Sequence, residues 1–262
     1  MNHQIKAILF DLNETLIHQI RTERSHIAST YAALTKHYWH ITFESFESAW
    51  TKIHNQHANQ IHEGLQLVQV GDFEAAKEKL REPWYHENIA DIVKELNISC
   101  SNQLIEEITW EFQDSWVGGL RMPVGNRSVL EKLAQDDYQL GIVTNFQQPN
   151  IISDILKNFG IDHFFKTIVI SANIGWRKPH PDLFKSALNE LGMIDTPERV
   201  IYVGDDPEED INGSKRVGLQ PILIDPENRF SDLSKNITSI KSLIELPETI
   251  LKIKSTKQNT TE

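Results

Sequence analysis

The chain has 262 residues, of which 39% are hydrophobic, and a formal net charge of -11 at neutral pH. That length suits one core plus an inserted subdomain, and that apolar content excludes wholesale disorder. The acidic balance repels a phosphate backbone, so nucleic acid is not an expected partner.

The first apolar run, residues 7–10, is far too short for a signal-peptide core or a membrane span. No membrane association is therefore expected, and the protein is read as soluble and cytoplasmic. Cys100 is the only cysteine, which rules out an internal disulfide and fits a reducing compartment. From about 17 to 117 no strong strand signal follows. The stretch is rich in Ala, Glu, Gln, Leu and His, with breaks expected at Gly64 and Pro83, and it reads as a separate all-helical subdomain.

Four more Ile/Val-rich runs come next, at 140–143, 167–170, 200–203 and 221–224. Short runs of this kind read as strands of a parallel sheet buried on both faces. Amphipathic stretches at 125–135, 149–159 and 182–191 separate them. This alternation predicts an α/β fold, a doubly wound, Rossmann-like parallel sheet. The expected division is 1–16 and 118–250 for the α/β core, 17–117 for the helical insertion and 251–262 for a polar, frayed tail.

Ligands of open α/β sheets bind at the carboxyl ends of the strands, and four of the five expected ends carry suitable residues. Asp11 follows the first run, with Asn13 and Thr15 behind it. A carboxylate there is either a nucleophile or a capping residue. Thr144 and Asn145 follow the second run and suit an anion or a helix cap. Lys178, in WRKPHPDLF, is a compact cation for phosphate or carboxylate, or an ordinary loop lysine. Pro179 and Pro181 flank it and favour a helix start. Asp205, Asp206 and Asp210 follow the fourth run. Clustered carboxylates repel one another, and an all-oxygen set suits Mg2+; the alternative is an exposed acidic loop. The order of these four groups is more specific than any one of them.

FDLNETL, IVTNF, RKPHPDLF and VGDDPEEDINGSKRVGL together resemble the four motifs of the haloacid dehalogenase-like hydrolases. The resemblance spans 5–16 and 120–225, and the helical insertion resembles the cap domain that follows the first motif in that superfamily. It implies that Asp11 attacks the substrate while Thr144 and Lys178 hold the transferring group. It also implies that Mg2+ binds the Asp11 carboxylate, the backbone carbonyl of Asn13 and Asp205, with Asp206 or Asp210 orienting metal-bound water. In phosphatases of the family a second aspartate stands where this chain has Asn13. Asparagine cannot titrate, and losing a general acid–base typically costs about 10²–10⁴-fold.

The expected activity is therefore slow, Mg2+-dependent hydrolysis of a small phosphorylated metabolite through an aspartyl-phosphate, by a monomer or homodimer. Two other readings stand beside it. A carbon–halogen hydrolase of the same superfamily needs no general acid, because a halide leaves unprotonated. A catalytically reduced relative would only bind a phosphorylated ligand or a protein partner. In the insertion, His54, His57 and His62 lie close together but complete no zinc pattern. Trp39, Trp50, Trp84, Trp110 and Trp116 are read as core, and Tyr85 and His86 as candidate substrate contacts.

Overall fold

A computed structural model describes residues 4–230 and 237–259. The chain forms two compact units, one from Met1–His18 with Met122–Glu262 and the other from Gln19–Arg121. Its strands are β1 (Ala7–Phe10), β2 (His18–Gln19), β3 (Leu120–Arg121), β4 (Gln139–Thr144), β5 (Phe165–Ile170), β6 (Val200–Gly204), β7 (Gln220–Ile224) and β8 (Thr238–Ile240). The two-residue strands β2 and β3 pair with each other where the chain passes between the units. Among the described residues, no helix is long and apolar enough to cross a membrane.

The inserted unit is helical: α1 (Glu23–Thr35), α2 (Phe43–Gln69), α3 (Phe73–Lys79), α4 (Tyr85–Glu95) and α5 (Asn102–Gly118). Thr22, Thr42, Asp72 and Ser101 cap four of these helices, each side chain accepting a backbone N–H of the first turn. The apolar residues of α2 at 46, 49, 50 and 53 fall on one face and pack with Ile27, Leu34, Ile89, Ile92 and Ile108. Gly64 does not break α2 as expected; the helix runs through it, and the missing side chain leaves room for Leu80. The tryptophans divide. Trp50 is buried in this core, whereas Trp39 and Trp110 are 84% and 51% exposed, so the core reading holds for Trp50 and not for those two. Trp39 lies in the α1–α2 loop, and Trp110 lies off the buried positions of α5. His54 stacks on the Trp50 ring at 4.6 Å, and its Nδ1 sits 2.9 Å from the Trp50 carbonyl oxygen, which gives the ring a structural place.

The other unit carries a six-stranded sheet in the order β5-β4-β1-β6-β7-β8, with every neighbouring pair parallel. Helices α6 (Asn126–Gln135), α7 (Ile152–Asn158), α8 (Ser171–Ile174), α9 (Pro181–Leu191), α10 (Gly213–Arg216) and α11 (Leu246–Asn259) complete it. Alternate strand residues Ala7, Leu9, Val200 and Tyr202 share one face with Leu183, Phe184, Ala187, Leu188 and Leu191 of α9. Strand β8 was not foreseen, because TSI is short and two of its three residues are exposed. Helix α11 continues through Asn259, and Leu246 and Ile250, one turn apart near its start, are buried. Residues 260–262 lie outside the described residues.

Candidate active site

Strand β1 lies between β4 and β6, with Phe10 opposite both Ile142 and Val203. This register brings three strand ends together, so Asp11, Thr144 and Asp205 leave the sheet at neighbouring positions. The Asp11 N–H extends the ladder by donating to the Val203 carbonyl at 2.9 Å. Lys178 comes from the loop between α8 and α9, where Pro181 occupies the first turn of α9 as expected.

The Lys178 ammonium is fully enclosed. Its Nζ donates to Asp11 Oδ1 and to Asp210 Oδ1, each at 2.6 Å, and to Tyr202 Oη at 3.0 Å. The Tyr202 hydroxyl in turn donates to the carbonyl of Val143, the residue before Thr144, at 2.9 Å. Asp210 reaches the site because β6 runs into a π-helical turn, Pro207–Asn212. Its Oδ2 accepts the N–H groups of Asp205 and Asp206, both at 3.1 Å. Gly204 is required here, since any side chain on it would collide with the Asp210 carboxylate.

Asp11, Asp205 and Asp210 each offer an oxygen within 4.8 Å of the others. One ammonium cannot balance three carboxylates, of which Asp11 and Asp210 are buried and Asp205 half-buried. Burial pushes the Asp11 carboxyl up to about 7 despite the pull of Lys178, with Asp210 and Asp205 adding to the rise. Burial, and then Asp210, likewise push Asp205 up to about 7. For Lys178, burial favours the neutral amine, but the charges of Asp11 and Asp210 outweigh it and hold the ammonium well above its usual range. A buried, all-oxygen set with surplus negative charge fits a hard divalent cation.

Two hydroxyls near this edge have no hydrogen-bond partner among the described residues. Thr144 Oγ1 is buried at the end of β4, and Thr15 Oγ1 is buried just beyond Asp11. A buried polar atom left unpaired is costly and marks a place for a ligand or water. Asn13 is half-buried, and its backbone bridges to Ile17.

Two expected site residues are used otherwise. Asp206 is not in the carboxylate group; its Oδ1 caps the π-helical turn by accepting the N–H groups of Glu208 and Glu209 at 2.8 and 2.7 Å. Asn145, expected at the substrate, spends its side chain inside the protein. Its Oδ1 accepts the Lys178 N–H at 2.7 Å, and its Nδ2 donates to Glu209 Oε2 at 2.8 Å. Sequence reasoning missed Tyr202 and Glu209. Tyr202 reads as one more apolar residue of a buried strand, and Glu209 as one more charge in an acidic run.

The sequence profile of the haloacid dehalogenase-like hydrolases matches residues 8–224. The chain is 26% identical over 234 residues to a glyceraldehyde 3-phosphate phosphatase of Pyrococcus furiosus, covering 84% of this chain and 80% of that protein. Among solved structures it is similar to a HAD phosphatase from Thermococcus onnurineus, with a TM-score of 0.61 and 21% identity over 94% of this chain and 98% of the other. It is equally similar to a 2-haloacid dehalogenase from Pseudomonas syringae, with a TM-score of 0.62 and 20% identity over 95% and 98%. The fold is thus shared by both chemistries.

Proposed function

This chain belongs to the haloacid dehalogenase-like hydrolases, and we propose that it is a Mg2+-dependent phosphatase of small phosphorylated metabolites with Asp11 as its nucleophile. The observation that carries the reading is the group of Asp11, Asp205 and Asp210, two of them buried, with Lys178 paired to Asp11 and Asp210 among the described residues. Such a group suits a cation and a phosphoryl substrate. It has no evident use in carbon–halogen hydrolysis, where unneutralised carboxylates would repel a 2-haloacid. The phosphatase relative, which aligns over most of both chains, points the same way.

In this mechanism Asp11 and Asp205, with the Asn13 carbonyl, would hold the metal. When bound, Mg2+ supplies positive charge against the phosphoryl oxygens and keeps Asp11 ionised. Lys178 fixes the Asp11 carboxylate for attack and adds a second positive charge. The unpaired hydroxyls of Thr144 and Thr15 donate to phosphoryl oxygens. An Asp11 oxygen bonds to phosphorus as the ester P–O bond breaks, and the leaving oxygen takes its proton from water, since Asn13 has none to give. Water then attacks the aspartyl-phosphate, the bond to Asp11 breaks and inorganic phosphate leaves. The helical unit, which follows the first motif directly in the chain, is the family's cap and the part assigned to substrate selection.

The test is a panel of phosphate monoesters and 2-haloacids with excess Mg2+. Phosphate release from at least one ester is expected. Halide release with no phosphate release overturns the reading.

A further inference from the structure

Lys178 lies outside helix and strand, so its backbone groups have no ladder partners of their own. The Asn145 amide meets that need: Oδ1 accepts the Lys178 N–H at 2.7 Å, and Nδ2 reaches the Lys178 carbonyl at 3.4 Å. Its other N–H goes to Glu209 Oε2 at 2.8 Å. This network fixes which end of the amide is oxygen, because the Lys178 N–H needs an acceptor and Glu209 needs a donor. Glu209 Oε1 also pairs with the Arg177 guanidinium at 3.0 Å. One carboxylate therefore grips the residue before Lys178 directly and Lys178 itself through Asn145. The three segments it joins leave three different places in the fold: the end of β4, the loop before α9 and the turn after β6.

We propose that Glu209 is a positioning residue for Lys178 and acts through Asn145. Both side chains are engaged with protein partners. Together they hold the loop backbone at the place from which the Lys178 ammonium reaches Asp11 and Asp210. A small displacement of that ammonium is enough to slow turnover, because catalytic groups are sensitive to shifts of about 1 Å. The proposal rests on the phosphatase reading for its readout.

The experiment reverses the hydrogen bond with near-isosteric substitutions, and the double variant does so without changing net charge. Asn145→Asp still accepts the Lys178 N–H but places a carboxylate against Glu209, and kcat on an aryl phosphate with Mg2+ should fall about tenfold. Adding Glu209→Gln to that variant supplies an amide that donates to the new carboxylate. The double variant should return to within about threefold of wild type, the non-additivity expected of directly coupled residues. All these variants are near-isosteric, and thermal melts check that each is folded. A double variant no faster than Asn145→Asp alone, or an Asn145→Asp variant at the wild-type rate, overturns the proposal. If wild type turns over and the rescue fails, only this proposal falls. If wild type releases phosphate from no ester, the phosphatase reading falls and takes this proposal with it.

Discussion

Lys178 and Asp210 meet at 2.6 Å with each side chain only 2% exposed, although 32 residues separate them. The same ammonium stands 2.6 Å from Asp11. Lys178→Met would leave two buried carboxylates facing each other without a cation. The expected losses at neutral pH are about 3–5 kcal/mol in stability and about 10²–10³-fold in kcat. The stability loss should shrink at pH 5, where a proton can take the place of the missing charge. Denaturant melts at two pH values and a phosphate-release assay check both parts, and a variant with wild-type kcat would remove Lys178 from the chemistry.

Asp11→Asn keeps the side-chain oxygen that accepts from Lys178 and removes the nucleophilic carboxylate. Hydrolysis should drop to background while the melting temperature holds or rises, because a buried negative charge has been taken away. Phosphate release at high enzyme concentration is the measurement. Residual turnover above a few per cent, repeated on independent preparations, assigns the nucleophile elsewhere.

The pH dependence follows from the two raised carboxyls. Asp11 and Asp205 titrate near about 7 in the folded protein, against 3.8 for an unperturbed aspartate. Between those values the native state holds protons that the unfolded chain has released. Their contribution to stability is therefore present below about 3.8 and is lost as pH rises through about 7. A cation on the same oxygens needs them deprotonated. Mg2+ should raise the melting temperature clearly at pH 8 and little at pH 5, and Asp205→Asn should abolish most of the shift. EDTA should stop turnover, and Mg2+ should restore it. Full activity in EDTA would favour the carbon–halogen reading.

Asn13 separates good leaving groups from poor ones. Without a general acid, wild type should prefer aryl over alkyl phosphates. Without a general base for the second step, the aspartyl-phosphate should accumulate on the aryl ester, where the first step is fast. Asn13→Asp should raise kcat on an alkyl phosphate by about tenfold or more. Parallel assays of both proteins on one aryl and one alkyl ester decide it; no gain on either substrate counts against proton transfer at this position.

The parts of the site legible in the sequence are those that end apolar runs. Asp11, Thr144 and Asp205 each close a strand buried on both faces, so their position in the chain announces their position on the sheet. Lys178 lies eight residues past the end of β5 and was found only through the company it keeps. Tyr202 was hidden, because a tyrosine within VIYVG reports burial and not where its hydroxyl points. Asp206 and Asp210 looked equivalent, and the choice between them turns on the π-helical turn, which rotates Asp210 inward and leaves Asp206 as its cap. Strand β8 lacked the apolar run that marks the other five core strands.

The helical unit leaves and rejoins the chain at a single doorway. The Ile20 N–H donates to the Gly119 carbonyl at 3.0 Å, so the two ends of the unit are already stitched side by side. Such an insertion is portable: its neighbouring ends could be closed by a short turn, or spliced to a foreign helical unit, without re-threading any core strand. Exchange of residues 19–121 would leave the chain path of the sheet that carries Asp11, Lys178 and Asp210 unaltered.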